Sequence, residues 1–451
     1  MQRTQSLEAK EYHLLIRFIL AISLFLTSIG LANAQGLIRD AEIERTLRML
    51  SEPIYKAAGV PPQSISMYIV NDRSINAFVA GGKNIFLNTG LIIELETTAE
   101  LQGVIAHELG HITGGHLARR SIKMRNARGP ALLGLLAGIA AGAAGGGAAA
   151  SAIIAGSQGA LIRDVLRHSR SEEAAADQAA MTYLDRANVD PTGLRRVFER
   201  FKGQEVFTLG NVDPYAITHP LTTQRMQLLQ RRINEIGVEN REPPPEHKYW
   251  HSRMRAKLEG FLDAPRLVLA KLEDKHETEF THYAKAIALR QLSPDEAMAH
   301  IDALFEYRPN DPFYIELKGQ ILFEAGKPRE AAPLYRRAAE LAPSEPLIKA
   351  GLGRSLLAFN EPAADAEALL VLQEARRGDM ADAAALRDLA TAYSRAGDYG
   401  MASLATAERL ALRGRTEDAL IHARRASAML PEGSPAWLRA QDILSLSPEN
   451  N

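Results

Sequence analysis

The 451-residue chain has no cysteine, so it has neither a disulfide framework nor thiol chemistry. It also lacks an excess of charge of either sign: 53 Lys and Arg stand against 54 Asp and Glu, and the net charge is -1. That balance leaves no basic footprint for nucleic acid. Long uncharged runs are scarce. One lies at the start, where Lys10 and Arg17 precede an apolar stretch from Phe18 to Leu31 and the small residues Ala32-Asn33-Ala34 follow. This order predicts a secretory signal peptide over 1–34, with the mature chain starting near Gln35. An uncleaved anchor is the alternative, although the run is short for a spanning helix. A cysteine-free exported chain fits a bacterial periplasm.

The other uncharged run lies within 129–162 and is dominated by Ala, Gly, Leu and Ile. It is long enough to enter a bilayer, but Gly142, Gly145, Gly146 and Gly147 weaken a continuous helix. The preferred reading is a peripheral, lid-like hairpin that rests against the protein or touches membrane; true spanning is the alternative.

Between these runs lies His107-Glu108-Leu109-Gly110-His111. Histidines at i and i+4 share one helical face, so both rings can reach one metal ion, and Glu108 beside them can serve as a base toward water. Thr97 and Glu100 read as a capping box, and Leu101, Val104, Ile105, Leu109 and Ile112 supply a buried stripe. A third histidine ten residues after the first would mark another class of zinc peptidase, but that position is Leu117. His116 is one residue short and points away at helical spacing, which suits a supporting role better than ligation. The better third ligand is in Ser169-Arg170-Ser171-Glu172-Glu173-Ala174-Ala175-Ala176-Asp177. Glu173 and Asp177 stand at i and i+4 in a run of helix formers. Glu173 completes a His, His, Glu zinc set with one vertex open, and Asp177 can accept the outer N–H of a ligand histidine.

On these residues the chain resembles the HExxH metallopeptidases that include the prenyl-protein (CAAX) protease and the bacterial heat-shock membrane protease. Their ligand Glu lies in a Ser-Arg-x-x-Glu-x-x-x-Asp segment, matched here at Ser169, Arg170, Glu173 and Asp177. Many members carry an acidic residue two positions after that Glu, where this chain has Ala175; Glu172 is the lesser alternative ligand. The run from Asn76 to Leu91 looks like the family's strand pair before the active-site helix, with Gly81-Gly82 at the turn and an edge strand that can hold an extended peptide. Thr218-His219-Pro220 and Arg225 match a further segment. The resemblance implies that His219 lies by the metal, either stabilising the oxyanion or gating the site, and that Arg225 supports the ligand carboxylate.

Beyond Pro243-Pro244-Pro245 the chain repeats itself. Ala297 and Ala331, Pro309 and Pro343, Pro312 and Pro346, and Gly319 and Gly353 are pairs 34 residues apart, the period of a tetratricopeptide repeat. Looser copies follow around Leu389, Ala390, Tyr393 and Ala402, then around Ala419, Ala423, Ala426 and Pro431. Such a stack grips partner segments and carries no chemistry of its own. The expected architecture is therefore mainly α. An α+β zincin-like peptidase domain with a small β-sheet (35–242) precedes a linker (243–265), an α-solenoid of tetratricopeptide repeats (266–445) and a tail (446–451). The order of parts is similar to that of periplasmic family members, which implies action on unfolded or stalled outer-membrane proteins at the barrel-assembly machinery. A periplasmic zinc endopeptidase with one Zn2+ per chain is the first reading, with Glu108, His219 and Asp177 as working groups and His107, His111 and Glu173 as ligands. A non-proteolytic chaperone or adaptor with a latent metal site is the second.

Overall fold

The computed structural model describes residues 36–117, 170–201, 215, 218–237 and 241–447. The signal segment 1–34, the apolar stretch 129–162, Ser169 and the end of the tail lie outside the described residues. No helix among those described is long and apolar enough to cross a membrane.

Four short strands form the sheet: β1 Leu37–Ile38, β2 Ser66–Val70, β3 Ala77–Ala80 and β4 Asn84–Asn88. Their spatial order is β1-β2-β4-β3, with β2 parallel to β4 and the outer pairs antiparallel. The strand pair expected from Asn76 to Leu91 is the β3–β4 hairpin, in register from Ala77 opposite Leu87 to Ala80 opposite Asn84. Gly81 and Gly82 close it at φ +60 and +92, values that other L-residues adopt only with strain. The hairpin leaves β3 on the sheet's edge. Its position there decides what can lie beside the site.

Helices enclose the sheet. α1 (Ala41–Ala57) is capped by Asp40, whose side chain accepts from the Ile43 amide. After α2 (Thr89–Glu94) comes α3 (Thr98–Thr113), which begins with the expected capping box: Glu100 takes the Thr97 amide at 2.9 Å, and Thr97 takes the Glu100 amide at 3.3 Å. Every residue of α3 from Thr98 to His111 is buried, so it is a central helix and not a surface helix with one apolar stripe. Around it stand α4 (Arg170–Arg186), α5 (Thr192–Phe201), α6 (Thr223–Ile236) and α7 (Pro245–Leu262). Ile69, Val79, Leu87, Leu101, Val104, Met181, Leu194, Phe198 and Met254 meet in one core beneath the sheet.

The reading of 243–265 as a linker is corrected by α7, which fills most of that range. Proline at a helix's first position has the right φ and lacks only an N–H that would be unpaired anyway, so Pro245 starts a helix where the sequence suggested a break. α7 also serves two cores. Met254 and Leu258 join the core beneath the sheet, whereas Trp250 packs with Ala41, Phe313, Ala331 and Tyr335 in the next one.

From there the chain is a series of helices: α8 (Pro265–Leu272), α9 (Glu279–Leu289), α10 (Pro294–Tyr307), α11 (Pro312–Glu324), α12 (Pro328–Leu341), α13 (Pro346–Leu357), α14 (Pro362–Gly378), α15 (Ala383–Arg395), α16 (Tyr399–Leu412), α17 (Thr416–Met429) and α18 (Pro435–Leu444). Successive helices pack on one another, as helical repeats do. Equivalent prolines recur: Pro309 and Pro343 follow the ends of α10 and α12, while Pro312 and Pro346 open α11 and α13. The molecule is mainly α, a small mixed sheet with its helices followed by a helical repeat region.

Candidate metal centre

The sequence places two imidazoles one turn apart on α3, and the fold brings α4 across them. Close approach is possible because Gly110 has no side chain: a Cβ there would lie 2.7 Å from the Ala176 carbonyl oxygen and 2.9 Å from its Cα. At that crossing four donor groups converge, all fully buried: His107, His111, Glu173 and His219. His107 Nε2 lies 3.1 Å from His111 Nε2 and 3.2 Å from His219 Nδ1. Glu173 completes the set, with Oε2 3.4 Å from His107 Nε2 and Oε1 3.4 Å from His111 Nε2 and 3.1 Å from His219 Nδ1.

This donor set fits a metal ion. Ligand atoms about 2.05 Å from a tetrahedral zinc are about 3.3 Å apart, which matches these separations. Hydrogen bonding alone accounts for them poorly, because a carboxylate and three imidazoles that share one point have too few protons to satisfy every contact.

Supporting contacts lie behind the donors. His107 Nδ1 is 3.0 Å from Asp177 Oδ1, and His111 Nδ1 is 2.9 Å from His116 Nδ1. Arg225, at the start of α6, donates to both Asp177 oxygens at 2.7 and 2.8 Å and pairs with Glu173 Oε2 at 2.8 Å. Its guanidinium also sits 4.8 Å from the centre of the Phe198 ring. Glu108 is different. Its carboxylate is buried with no hydrogen-bond partner among the described residues, and His219 Nε2 is 3.4 Å from Oε1.

The electrostatics favour a cation. Burial opposes a charge on His107, but Asp177 and Glu173 outweigh it and raise the imidazole to about 10. Burial pushes His111 down to about 3, so its lone pair is available at neutral pH. Burial works against ionisation of Glu173 and Asp177 too, yet the facing His219 and Arg225 respectively hold both below the usual carboxylate range. Glu108 is pushed up by burial, which suits a group that must exchange a proton.

The structure thus brings together His107, Glu108, His111, Glu173, Asp177, His219 and Arg225, and sets His219 level with the other three donors. His219 is held from two sides: its amide donates to the Tyr215 carbonyl at 2.8 Å, and its Nε2 lies 3.3 Å from the Ala77 carbonyl on edge strand β3. Glu172 is not among the converging groups. Sequence reasoning missed Tyr215, whose buried ring lies 4.7 Å from that of His219. The i, i+4 spacing of Tyr215 and His219 was the available signal. It also missed Phe198 and the role of Gly110 in the helix crossing.

Residues 38–233 match the model of peptidase family M48. Over 412 residues the chain is 26% identical to the beta-barrel assembly-enhancing protease of Yersinia pestis, covering 88% of this chain and 82% of that protein. A Vibrio cholerae protein provisionally given the same name is 26% identical over 291 residues, 63% of this chain and 60% of its own length. Metalloprotease LoiP of Escherichia coli is 25% identical over 199 residues, 44% of this chain and 74% of the relative.

Proposed function

We propose that this chain, a metalloendopeptidase whose residues 38–233 form a peptidase family M48 domain, uses zinc to cleave unfolded or stalled outer-membrane proteins in the periplasm. The observation that carries the reading is the convergence of His107, His111, Glu173 and His219 beside the buried Glu108 carboxylate, which accepts no hydrogen bond among the described residues. His107, His111 and Glu173 would hold the ion. A zinc ion in such a site supplies Lewis acidity and lowers the pKa of water. Glu108 takes the proton from the attacking water and passes it to the leaving amine. Its burial suits both steps, because it raises the carboxyl above the usual range and so favours taking up a proton that is later returned. Asp177 fixes the tautomer of His107, and Arg225 orients Glu173 and Asp177 together.

His219 stands as the fourth donor and also spans to β3, the strand an extended substrate would pair with. The centre is therefore latent in this arrangement, and substrate enters when His219 yields its place. The helical repeats select partners, including the barrel-assembly machinery, and bring substrate to the site. That assignment is supported by the similarity to the Yersinia pestis protein, which covers 88% of this chain and so reaches into the repeats.

Glu108→Gln tests the reading. The variant should keep its zinc, measured by elemental analysis, and lose cleavage of an unfolded outer-membrane protein by about 10²- to 10⁴-fold. Cleavage at the wild-type rate would remove Glu108 from the reaction and overturn this mechanism.

A further inference from the structure

We infer that the first helices of the repeat region carry a second metal site, for a borderline divalent transition metal such as Zn2+ or Ni2+, formed by Glu277, His282 and His300. The three residues come from three positions in the fold. Glu277 precedes α9, His282 is in its first turns, and His300 is on α10. Each offers a ligand atom, and the three atoms lie within 4.8 Å of one another. His282 Nδ1 is 2.9 Å from His300 Nδ1, so a single proton, or a cation in its place, must lie between the two nitrogens. Glu277 Oε2 is 3.5 Å from His282 Nε2, and its other oxygen takes the Lys285 ammonium at 2.6 Å.

The chemistry of the set chooses the ion. Two imidazoles and one carboxylate suit zinc, nickel or copper and not magnesium or calcium, which take oxygen ligands. Both histidines are half-buried, and their backbones are held by the α9–α10 packing, with Tyr283, Ala286, Ile301 and Leu304 in its core. The carboxylate is about half exposed, so it can turn from His282 Nε2 to an ion seated between the rings. Lys285 is the competing cation. It holds Glu277 where the ion would, and the ion displaces it. Once bound, the ion ties the loop before α9 to α10 and leaves open vertices facing solvent.

The test uses the full chain stripped of metal and titrated with Zn2+ from a metal buffer, with stoichiometry read by equilibrium dialysis. The wild type should take up a second ion. His107→Ala with His111→Ala should abolish the first ion and keep the second, so failure of the catalytic reading and failure of this one are distinct results. His282→Ala with His300→Ala should abolish the second and keep the first, with unchanged thermal stability in the metal-free state. Lys285→Ala should tighten the second ion about two- to fivefold, the size of an exposed ion pair removed. A single ion per wild-type chain, or a second ion indifferent to His282 and His300, would overturn the inference.

Discussion

His251, in α7, is buried with its Nε2 unpartnered among the described residues. Burial, with Arg255 nearby, pushes it down to about 4, so the folded chain holds it neutral where the unfolded chain would protonate it below about 6.5. The sign follows from linkage: its contribution is complete above pH 6.5 and is lost as pH falls toward 4. Between pH 7 and 5 that loss is about 2 kcal/mol. His251→Phe should therefore show a smaller drop in urea midpoint over that interval than the wild type, and equal drops would mean that the imidazole is solvated. His219 gives a second prediction at this scale. If it guards the centre, His219→Ala raises proteolysis of an unfolded substrate; unchanged or lower turnover excludes gating and favours help to the oxyanion. Single residues were unequally legible in the sequence. His107, Glu108, His111, Glu173 and Asp177 could be read because i, i+4 spacing fixes their directions within one helix. Phe198 could not, because its placement beside the imidazoles depends on how separate segments pack; Tyr215 was overlooked although its i, i+4 spacing from His219 was there to read.

At the scale of the element, Gly110 sits where two rules oppose each other. Alanine is favoured over glycine in a helix interior by about 1 kcal/mol, so Gly110→Ala would stabilise an isolated α3. Against α4, however, the new methyl would meet the Ala176 backbone at 2.7 Å, and backbone cannot turn aside as a flexible side chain can. Overpacking of this kind costs about 1–3 kcal/mol and should win. Moving α4 outward also moves Glu173 from the two histidines, so zinc affinity should fall by about tenfold or more. Chelator competition and thermal melts on the same sample measure both effects, and a raised melting temperature with unchanged affinity would refute the crossing argument. Helix starts were legible where a cap or a period marked them, as at Thr97 and in the repeats. α7 was not. Its opening prolines and many charges look like a linker, because a sequence does not reveal which charges will be neutralised by a partner brought in from far along the chain.

Those charges decide the behaviour of the whole molecule. Arg253 is fully buried, donates to Asp311 at 2.6 and 2.8 Å, and lies 2.7 Å from Glu42. Lys257 pairs with Asp40 at 2.8 Å and with Glu42 at 3.2 Å, while the Tyr283 hydroxyl donates to Glu42. Asp40 and Glu42 belong to the start of the peptidase unit, Tyr283 and Asp311 to the helical repeats, and α7 carries the two cations between them. Neither half can hold these groups without the other: whichever half lacks α7 is left with a buried carboxylate, Glu42 or Asp311, that has lost the arginine neutralising it. Breaking such a pair from one side costs about 3–5 kcal/mol, since the partner charge stays buried. Arg48 meets Glu345 across the same junction, but its side chain is 54% exposed, and a pair so placed contributes about 1 kcal/mol or less. Calorimetry of the wild type should accordingly give one transition. Arg253→Met should lower it sharply and separate it into two, the peptidase unit and the repeats melting apart, while Arg48→Ala leaves the single transition nearly unmoved. Two transitions already present in the wild type would mean that the buried charges do not couple the halves, and the helical repeats would then have no rigid path to the metal centre.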